Sequence, residues 1–379
     1  MKQKKIVIIG ANDFQNQLIL KAKSLGYETH VFAWESGDVG EKSADYFYPI
    51  SIIEKQKILY ECRKINPSGI ISIASDLAVA TVSYVAESLN LVCNKQSSVL
   101  CCTNKYQMRR TLKSNRIATP SFIEVNENPE SWIIDGMTFP MIVKPTDRSG
   151  SRGITKINSK AELVNAINYS INCSFEKRAI VEEFIEGDEY SCECISYKRK
   201  HYFLAFTKKY TTGAPHFIET AHSQPSDISL KYHDKIKDII FSALNALGIE
   251  NGASHTEFKI NKNGDIGIIE IGARMGGDCI GSDLVQISTG YDFLKMVIDV
   301  AVNKEPEFVR VDNPKYAAIK FLFDENDIRV LEQIKADNFD IIYRISQTYI
   351  PYKNNVIDSS TRLGYYIMYS NKDNLKHYL

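Results

Sequence analysis

The residues with the clearest chemical prospect lie between His255 and Gly277, HTEFKINKNGDIGIIEIGARMGG. Residues 253–260 and 265–271 each read as a strand. Asn263-Gly264 between them is the strongest short hairpin signal, because a type I′ turn needs positive φ at both central positions. With that pair as a two-residue loop, Lys262 faces Asp265, Glu257 faces Glu270 and His255 faces Gly272. The side-chain period then puts His255, Glu257, Glu270 and Gly272 on one face. Carboxylates directly opposed, with Cβ atoms roughly 5 Å apart, repel by about 3 kcal/mol at an effective dielectric of about 20. A shared proton or a bound cation would offset that repulsion. Carboxylate oxygens suit Mg2+ or Mn2+, particularly beside substrate phosphates. The alternative is two acids on a solvated face, each with its own Lys or Arg partner.

Composition narrows the classes. A chain of 379 residues points to two or three domains. The balance of 46 basic and 46 acidic residues argues against a nucleic-acid or polybasic membrane role. No apolar run approaches the ~18 residues of a membrane span. The start, MKQKKIVIIG, has a short apolar run without a small-residue cleavage site and reads as a strand. The 8 cysteines are scattered, with no C-x-x-C and no Cys/His metal spacing, as expected of reduced thiols in a cytoplasmic protein. Cys192 and Cys194 fall on one face of a strand.

These acids must be positioned by the elements before them. Apolar runs at 5–9, 29–33, 46–50 and 69–74 alternate with helical patterns at 14–25, 54–65 and 76–89, which predicts a parallel α/β sheet over roughly the first 95 residues. Gly10-Ala11-Asn12 opens like a dinucleotide fingerprint, but Asn12, Phe14 and Gln15 break G-x-G-x-x-G, so a nicotinamide site is not expected. Residues 95–116 read as helical, with Asn104 and Gln107 as a capping box and Lys105 in the first turn, where a cation opposes the helix dipole unless it reaches an anion. The strand 141–145 carries Lys144 among apolar neighbours, and a buried lysine is rarely unpaired. Asp147-Arg148-Ser149-Gly150-Ser151-Arg152-Gly153 follows, a loop whose backbone N–H groups and arginines can cradle phosphate, although it is not a Walker A loop. The strand 178–185 leads into Glu186-Gly187-Asp188-Glu189, where a strand edge and a carboxylate suit adenine and ribose. Lys208, Lys209, Glu219 and His222 flank a Gly-Pro-interrupted segment. The last part, 311–379, reads as a small α+β module with strands at 317–323, 339–345 and 364–370 and no catalytic constellation.

Lys105 at a helix start, Lys144 with its Ser/Gly/Arg loop, VEEFIEGDE, and the Glu257–Glu270 hairpin leading to EIGARMGG occur in an order that resembles the ATP-grasp superfamily. The segments TNKYQMRRTL and TTGAPHFIETAHSQPS are similar to those of carboxylate–amine ligases of the L-amino acid ligase type. The resemblance implies an α/β and α+β fold: a pre-ATP-grasp parallel α/β domain over 1–100, an ATP-grasp nucleotide-binding domain over 101–310 with a lid at about 117–187, and a C-terminal module over 311–379. It implies that Lys105, Lys144 and Lys209 bind the nucleotide and that Ser149, Gly150, Ser151 and Gly153 belong to a glycine-rich lid loop. Glu182, Glu183, Phe184 and Ile185 would hold adenine, much of it through backbone, and Glu189 the ribose. Glu257 and Glu270 would hold Mg2+ (or Mn2+) on ATP, and Arg274 would contact an acyl phosphate or substrate carboxylate, with His255 orienting the acyl group or accepting a proton. The family usually places Asn two residues after the second acid; here that residue is Gly272, so one metal would rely on water or on a nearby group such as Asp278. The implied activity is ATP-dependent joining of small-molecule carboxylates and amines, amino acids among them, through an acyl phosphate. A phosphotransferase on the same nucleotide site and a non-catalytic ATP-binding protein are the alternatives. No nucleic-acid or membrane partner is implied, and a homodimer is the expected assembly.

Overall fold

The computed structural model describes residues 4–126, 134–348 and 356–379. Strands β1 (Lys5–Ile9), β2 (Glu28–Ala33), β3 (Tyr46–Pro49) and β4 (Gly69–Ile71) form a parallel sheet in the order β3-β2-β1-β4. The run KIVII is buried on both faces, as central parallel strands require. Ile6 and Ile8 pack with the helices Asp13–Ser24 and Phe293–Ala301, while Val7 and Ile9 pack with Lys55–Ile65 and Asp76–Ser88. The Asn12 side chain accepts from Phe14 N and Gln15 N and so caps its own helix. Ser75 caps the helix Asp76–Ser88, accepting from Ala78 N.

A second sheet holds β5 (Phe122–Val125), β6 (Met141–Pro145), β7 (Thr155–Ile157) and β8 (Ala179–Glu183), all antiparallel in the order β5-β8-β6-β7. The helix Leu163–Cys173 covers one face of it through Leu163, Ala166, Ile167 and Ile171.

The third sheet is the largest. Strands β9 (Asp188–Tyr197), β10 (Lys200–Thr211), β11 (Glu219–Gln224), β12 (Gly252–Ile260), β13 (Ile266–Gly272), β14 (Tyr316–Leu322), β15 (Ile342–Ile345) and β16 (Gly364–Ser370) run in the order β13-β12-β9-β10-β11-β14-β16-β15, antiparallel throughout. The strands of the C-terminal segment continue this sheet, because β14 pairs with β11. The helix His233–Leu247 seals one face over Cys192, Cys194, Phe206, Phe258 and Ile268. Period two then turns Glu189, Lys209, His255, Glu257 and Lys259 to the other face. The helical stretch expected over 95–116 is two helices, Gln96–Thr103 and Lys105–Ser114. It breaks at Asn104, whose extended backbone ends the first and whose side chain accepts from Gln107 N to start the second. Among the described residues no helix is long and apolar enough to cross a membrane.

Candidate active site

The hairpin reaches the expected acid pair by an unexpected route. Its loop is three residues, Lys262-Asn263-Gly264, closed by Gly264 N on Asn261 O at 3.0 Å. Only Gly264 lies in the left-handed region, at φ 81. The Asn261 side chain accepts from Asn263 N and Asp265 N at 2.9 Å each, which favours this turn over the type I′ form. Asn261 rather than Lys262 therefore faces Asp265. Alone, that one-residue slip would set Glu257 opposite Ile269. A β-bulge at Ile269 cancels it: Phe258 pairs with Ile268, and Glu257 still pairs with Glu270 and His255 with Gly272.

The bulge carbonyls are claimed by a residue the hairpin does not contain. Arg109 donates to Ile268 O at 2.9 Å and Ile269 O at 3.0 Å, and its Nε donates to Glu182 Oε2 at 2.8 Å. Lys144 pairs with the other Glu182 oxygen. Burial would raise the Glu182 carboxyl, but Arg109 and Lys144 outweigh it and hold it at about 2. Burial, with Arg109 and Lys105 adding repulsion, draws the Lys144 ammonium below its usual range despite Glu182. The Glu182 side chain is thus a buried structural anchor, and only its backbone is available to a ligand. Arg109 lies with Lys105, Met108 and Leu112 on the buried stripe of its helix, so an arginine at an apolar-face position was its one sequence signal.

The two acids are neutralised by resident lysines. Lys105 Nζ lies 3.0 Å from Glu270 Oε1 and donates to Arg148 O at 2.6 Å. Lys209 pairs with Glu257 Oε1 and lies 3.5 Å from Glu189 and 3.7 Å from Glu219. Burial would raise the Glu257 carboxyl, but Lys209 and His255 hold it well below its usual range. The offset expected from a shared proton or bound cation is supplied here by side chains, as in the alternative reading, though within a cavity and not on a solvated face. Among the described residues no group of three or more His, Cys, Asp or Glu is arranged to hold a metal ion. The protein donors reach Oε1 of each acid, which leaves Oε2 of Glu257 and of Glu270 for a cation. Two carboxylate oxygens completed by nucleotide phosphates fit Mg2+, which is commonly held by one or two carboxylates.

His255 sits between Glu193, on its Nδ1, and Glu257, whose Oε1 is 3.3 Å from Nε2. Burial opposes its charge, but the two carboxylates prevail and push its pKa up to about 9. Carboxylates on both ring nitrogens favour the imidazolium, which fixes Glu257; of the two roles expected of His255, that charge suits orienting the acyl group better than accepting a proton. Glu193 is fully buried and also accepts from Gly276 N at 3.1 Å. A Cβ on Gly276 would stand 2.8 Å from His255 Nδ1, so this approach requires glycine. The run Ser191-Cys192-Glu193-Cys194 placed Glu193 on the face opposite the two cysteines, which is the signal it carried.

At the far end, Arg274 pairs with Asp76, the first residue of the helix Asp76–Ser88, and donates to Met275 O at 3.2 Å. Asp278, one of the two expected replacements for the missing Asn, is engaged by Arg362 at 2.6 and 3.0 Å and lies 3.4 Å from His222 Nε2, which leaves water as the other. Burial would raise Asp278, but Arg362 and His222 hold it far below its usual range. Arg362 comes from the C-terminal segment, and Ser359 beside it donates to Glu219 Oε2 at 2.7 Å. The region read as lacking a catalytic constellation thus closes one end of the site.

One cavity of about 480 Å³ is lined by Lys105, Lys144, Ser149, Gly150, Ser151, Glu182, Glu183, Phe184, Ile185, Glu189, Lys209, His255, Glu257, Glu270 and Arg274. Gly153 is not in its wall; with φ 73 it packs against Cys173 and Pro145. The Glu183 carboxylate accepts from Thr138 N at 3.0 Å and Ser121 N at 3.3 Å, so it too serves a ligand through its backbone. Phe184 stacks on Phe217 with centroids 5.7 Å apart, and Lys156 and Lys259 lie 4.0 and 4.4 Å from its centroid.

A family model described as "ATP-grasp domain" matches residues 137–283. Those residues carry an ATP-grasp domain. Alanine–anticapsin ligase of Bacillus subtilis is 30% identical over 213 residues, 49% of this chain and 44% of that protein. D-alanine–D-alanine ligase of Thermosipho africanus is 30% identical over 151 residues, 37% of this chain and 40% of that protein. The chain spans about half the length of the curated relatives it matches. Among solved structures, L-amino acid ligase from Bacillus licheniformis superposes with a TM-score of 0.82 at 22% identity, covering 100% of this chain and 96% of that one. Phosphoribosylglycinamide synthetase from Anaerococcus prevotii gives 0.77 at 22% identity, covering 99% and 96%. At that identity these matches establish a shared ATP-grasp fold, in agreement with the mixed parallel and antiparallel sheets expected from the sequence.

Proposed function

We propose that this chain is an ATP-dependent ligase that phosphorylates a carboxylate and joins the resulting acyl group to an amine, releasing ADP and phosphate. The observation that supports this reading is the order of groups along one hairpin. On β12, Lys259 lies beside the Phe184 ring, with Glu257 and His255 at successive two-residue steps. On β13, Ile269, Glu270 and Gly272 run in the same direction toward Arg274. Each two-residue step advances about 6.6 Å, so one cavity passes from an aromatic cage, past lysines and acids, to a guanidinium.

In this reading adenine lies against Ile142, Phe184 and Ile185, and Glu189 accepts from the ribose hydroxyls. Lys144, Lys105 and the loop Ser149–Ser151 stabilise charge on the phosphoryl group in transfer. Mg2+, held through Glu257 and Glu270, would neutralise the ATP phosphates. A guanidinium has five N–H donors, and Arg274 engages three of them on Asp76 and Met275. One remains on each terminal nitrogen, the pattern for two-point contact with a carboxylate or acyl phosphate. Amino acids are the substrate class the curated relatives' names suggest for both the acid and the amine.

The test is product analysis with ATP, Mg2+ and panels of carboxylates and amines. ADP and phosphate released only when an acid and an amine are both present support a ligase. AMP and pyrophosphate would overturn the acyl-phosphate route, and ADP formed with a hydroxyl acceptor alone would assign a phosphotransferase.

A further inference from the structure

Three carboxylates converge on one ammonium in this sheet, and each comes from a different strand. Glu189 is the second residue of β9, Glu219 opens β11 and Glu257 lies in β12, while Lys209 lies in β10 between the first two strands. The Lys209 ammonium pairs with Glu257 and lies 3.5 Å from Glu189 and 3.7 Å from Glu219. Only 5% of the residue is exposed. The same plan recurs across the hairpin, where Lys105 Nζ sits 3.0 Å from Glu270. Its ammonium is held in place by Arg148 O at 2.6 Å. A dication approaching either acid meets a fixed positive charge within a few ångströms. At that range repulsion between charges is strong in a partly buried site.

We propose that Lys209, with Lys105, keeps the acid pair closed to free divalent metal, so that metal enters only together with a polyphosphate. The inference rests on the reading of Glu257 and Glu270 as the metal-holding acids. A nucleotide phosphate chain brings the negative charge that the two lysines withhold. With phosphates present, the ammonium groups and the cation share anionic partners instead of competing for the two acids. Without them, the lysines are the counter-ions of the site. Lys209 is then a selectivity device, positioned by the sheet, that favours the metal–nucleotide complex over the bare ion.

Manganese binding to the full chain tests this without any catalytic turnover. Mn2+ is titrated by electron paramagnetic resonance into wild type, Lys209→Met and Lys209→Arg, each with and without ADP. Wild type and Lys209→Arg should bind Mn2+ only with ADP, and Lys209→Met should bind it without nucleotide, tighter by roughly tenfold or more. Thermal melting gives a second measure: Mn2+ alone should raise the midpoint of Lys209→Met and leave wild type unmoved. If Lys209→Met fails to fold, Lys105→Met is expected to behave the same way through Glu270. Wild type binding free Mn2+ as tightly as its ADP-bound form would overturn the proposal and leave the metal acids in place. No Mn2+ binding even with ADP would remove the metal assignment itself, and this inference with it.

Discussion

Arg274 and Asp76 form a two-point ion pair, Nε to Oδ1 at 2.9 Å and a terminal nitrogen to Oδ2 at 3.2 Å, that ties the end of the acid hairpin to the first turn of the helix Asp76–Ser88. They are 198 positions apart in the chain. Burial opposes the charge on each, yet the pair holds the Asp76 carboxyl below its usual range and the guanidinium above its own. The start of the helix Asp76–Ser88 therefore fixes the rotamer of the residue proposed to meet the acyl group.

Arg274→Lys loses that two-point geometry while keeping the charge. Turnover at saturating ATP should fall by roughly 10²-fold or more, the range for one lost stabilising donor. Nucleotide affinity should hold, because Phe184 and the lysines are untouched. Turnover, nucleotide affinity and melting temperature measured on this one variant check it. A variant that loses stability and ATP affinity together, with turnover per folded molecule unchanged, would make Arg274 a structural strut.

Arg109→Ala should cost about 3–5 kcal/mol of stability, the range for stripping one partner from a buried ion pair. It strands part of Glu182 and leaves the carbonyls of Ile268 and Ile269 without their donor. Urea denaturation measures it, and a loss below about 1 kcal/mol, as for a surface pair, would contradict the anchoring role.

His255 makes stability depend on pH in a definite direction. Its folded pKa is raised from the ordinary 6.5 to about 9. The stabilisation is therefore complete below the unfolded value and is lost as pH rises through the folded one. Unfolding free energy should decline between about pH 6.5 and 9, by up to the order of 3 kcal/mol. In His255→Gln that slope should vanish. Equal slopes in the two proteins would show that the ring is not charged between Glu193 and Glu257.

Arg362 and Asp278 should behave as one unit. Arg362→Ala leaves Asp278 with His222 alone, and Asp278→Ala leaves a buried guanidinium stacked 3.6 Å from the Phe321 centroid. Each single change should be strongly destabilising, and the double variant should lose less than their sum by about 1–3 kcal/mol. Strict additivity would mean that the pair is not coupled.

How much of this was legible depends on the distance over which the information acts. Strands β1, β2 and β4 were legible because burial on both faces writes largely apolar runs. The facing of Glu257 and Glu270 was read correctly from a turn that does not form. The Asn261 side chain selects a longer loop, and the bulge at Ile269 restores the register. Neither feature is a local propensity of the Asn-Gly pair. Arg362 left no signal because it reaches Asp278, 84 residues away, only once β14 and β16 have extended the central sheet. The resident lysines were legible as cations but not as partners of the acids, since pairing is a matter of neighbouring strands and not of spacing along the chain.

The Arg109 contacts have a mechanical consequence. One guanidinium grips Glu182 of β8 in the second sheet and the carbonyls of Ile268 and Ile269 in the hairpin. Separating them would leave buried charge uncompensated, at several kcal/mol. That corner is therefore a fulcrum. If the second sheet serves as the lid expected from the sequence, it would pivot at Glu182, and its greatest travel would fall to the opposite border, at β7 and the Ser149–Ser151 loop.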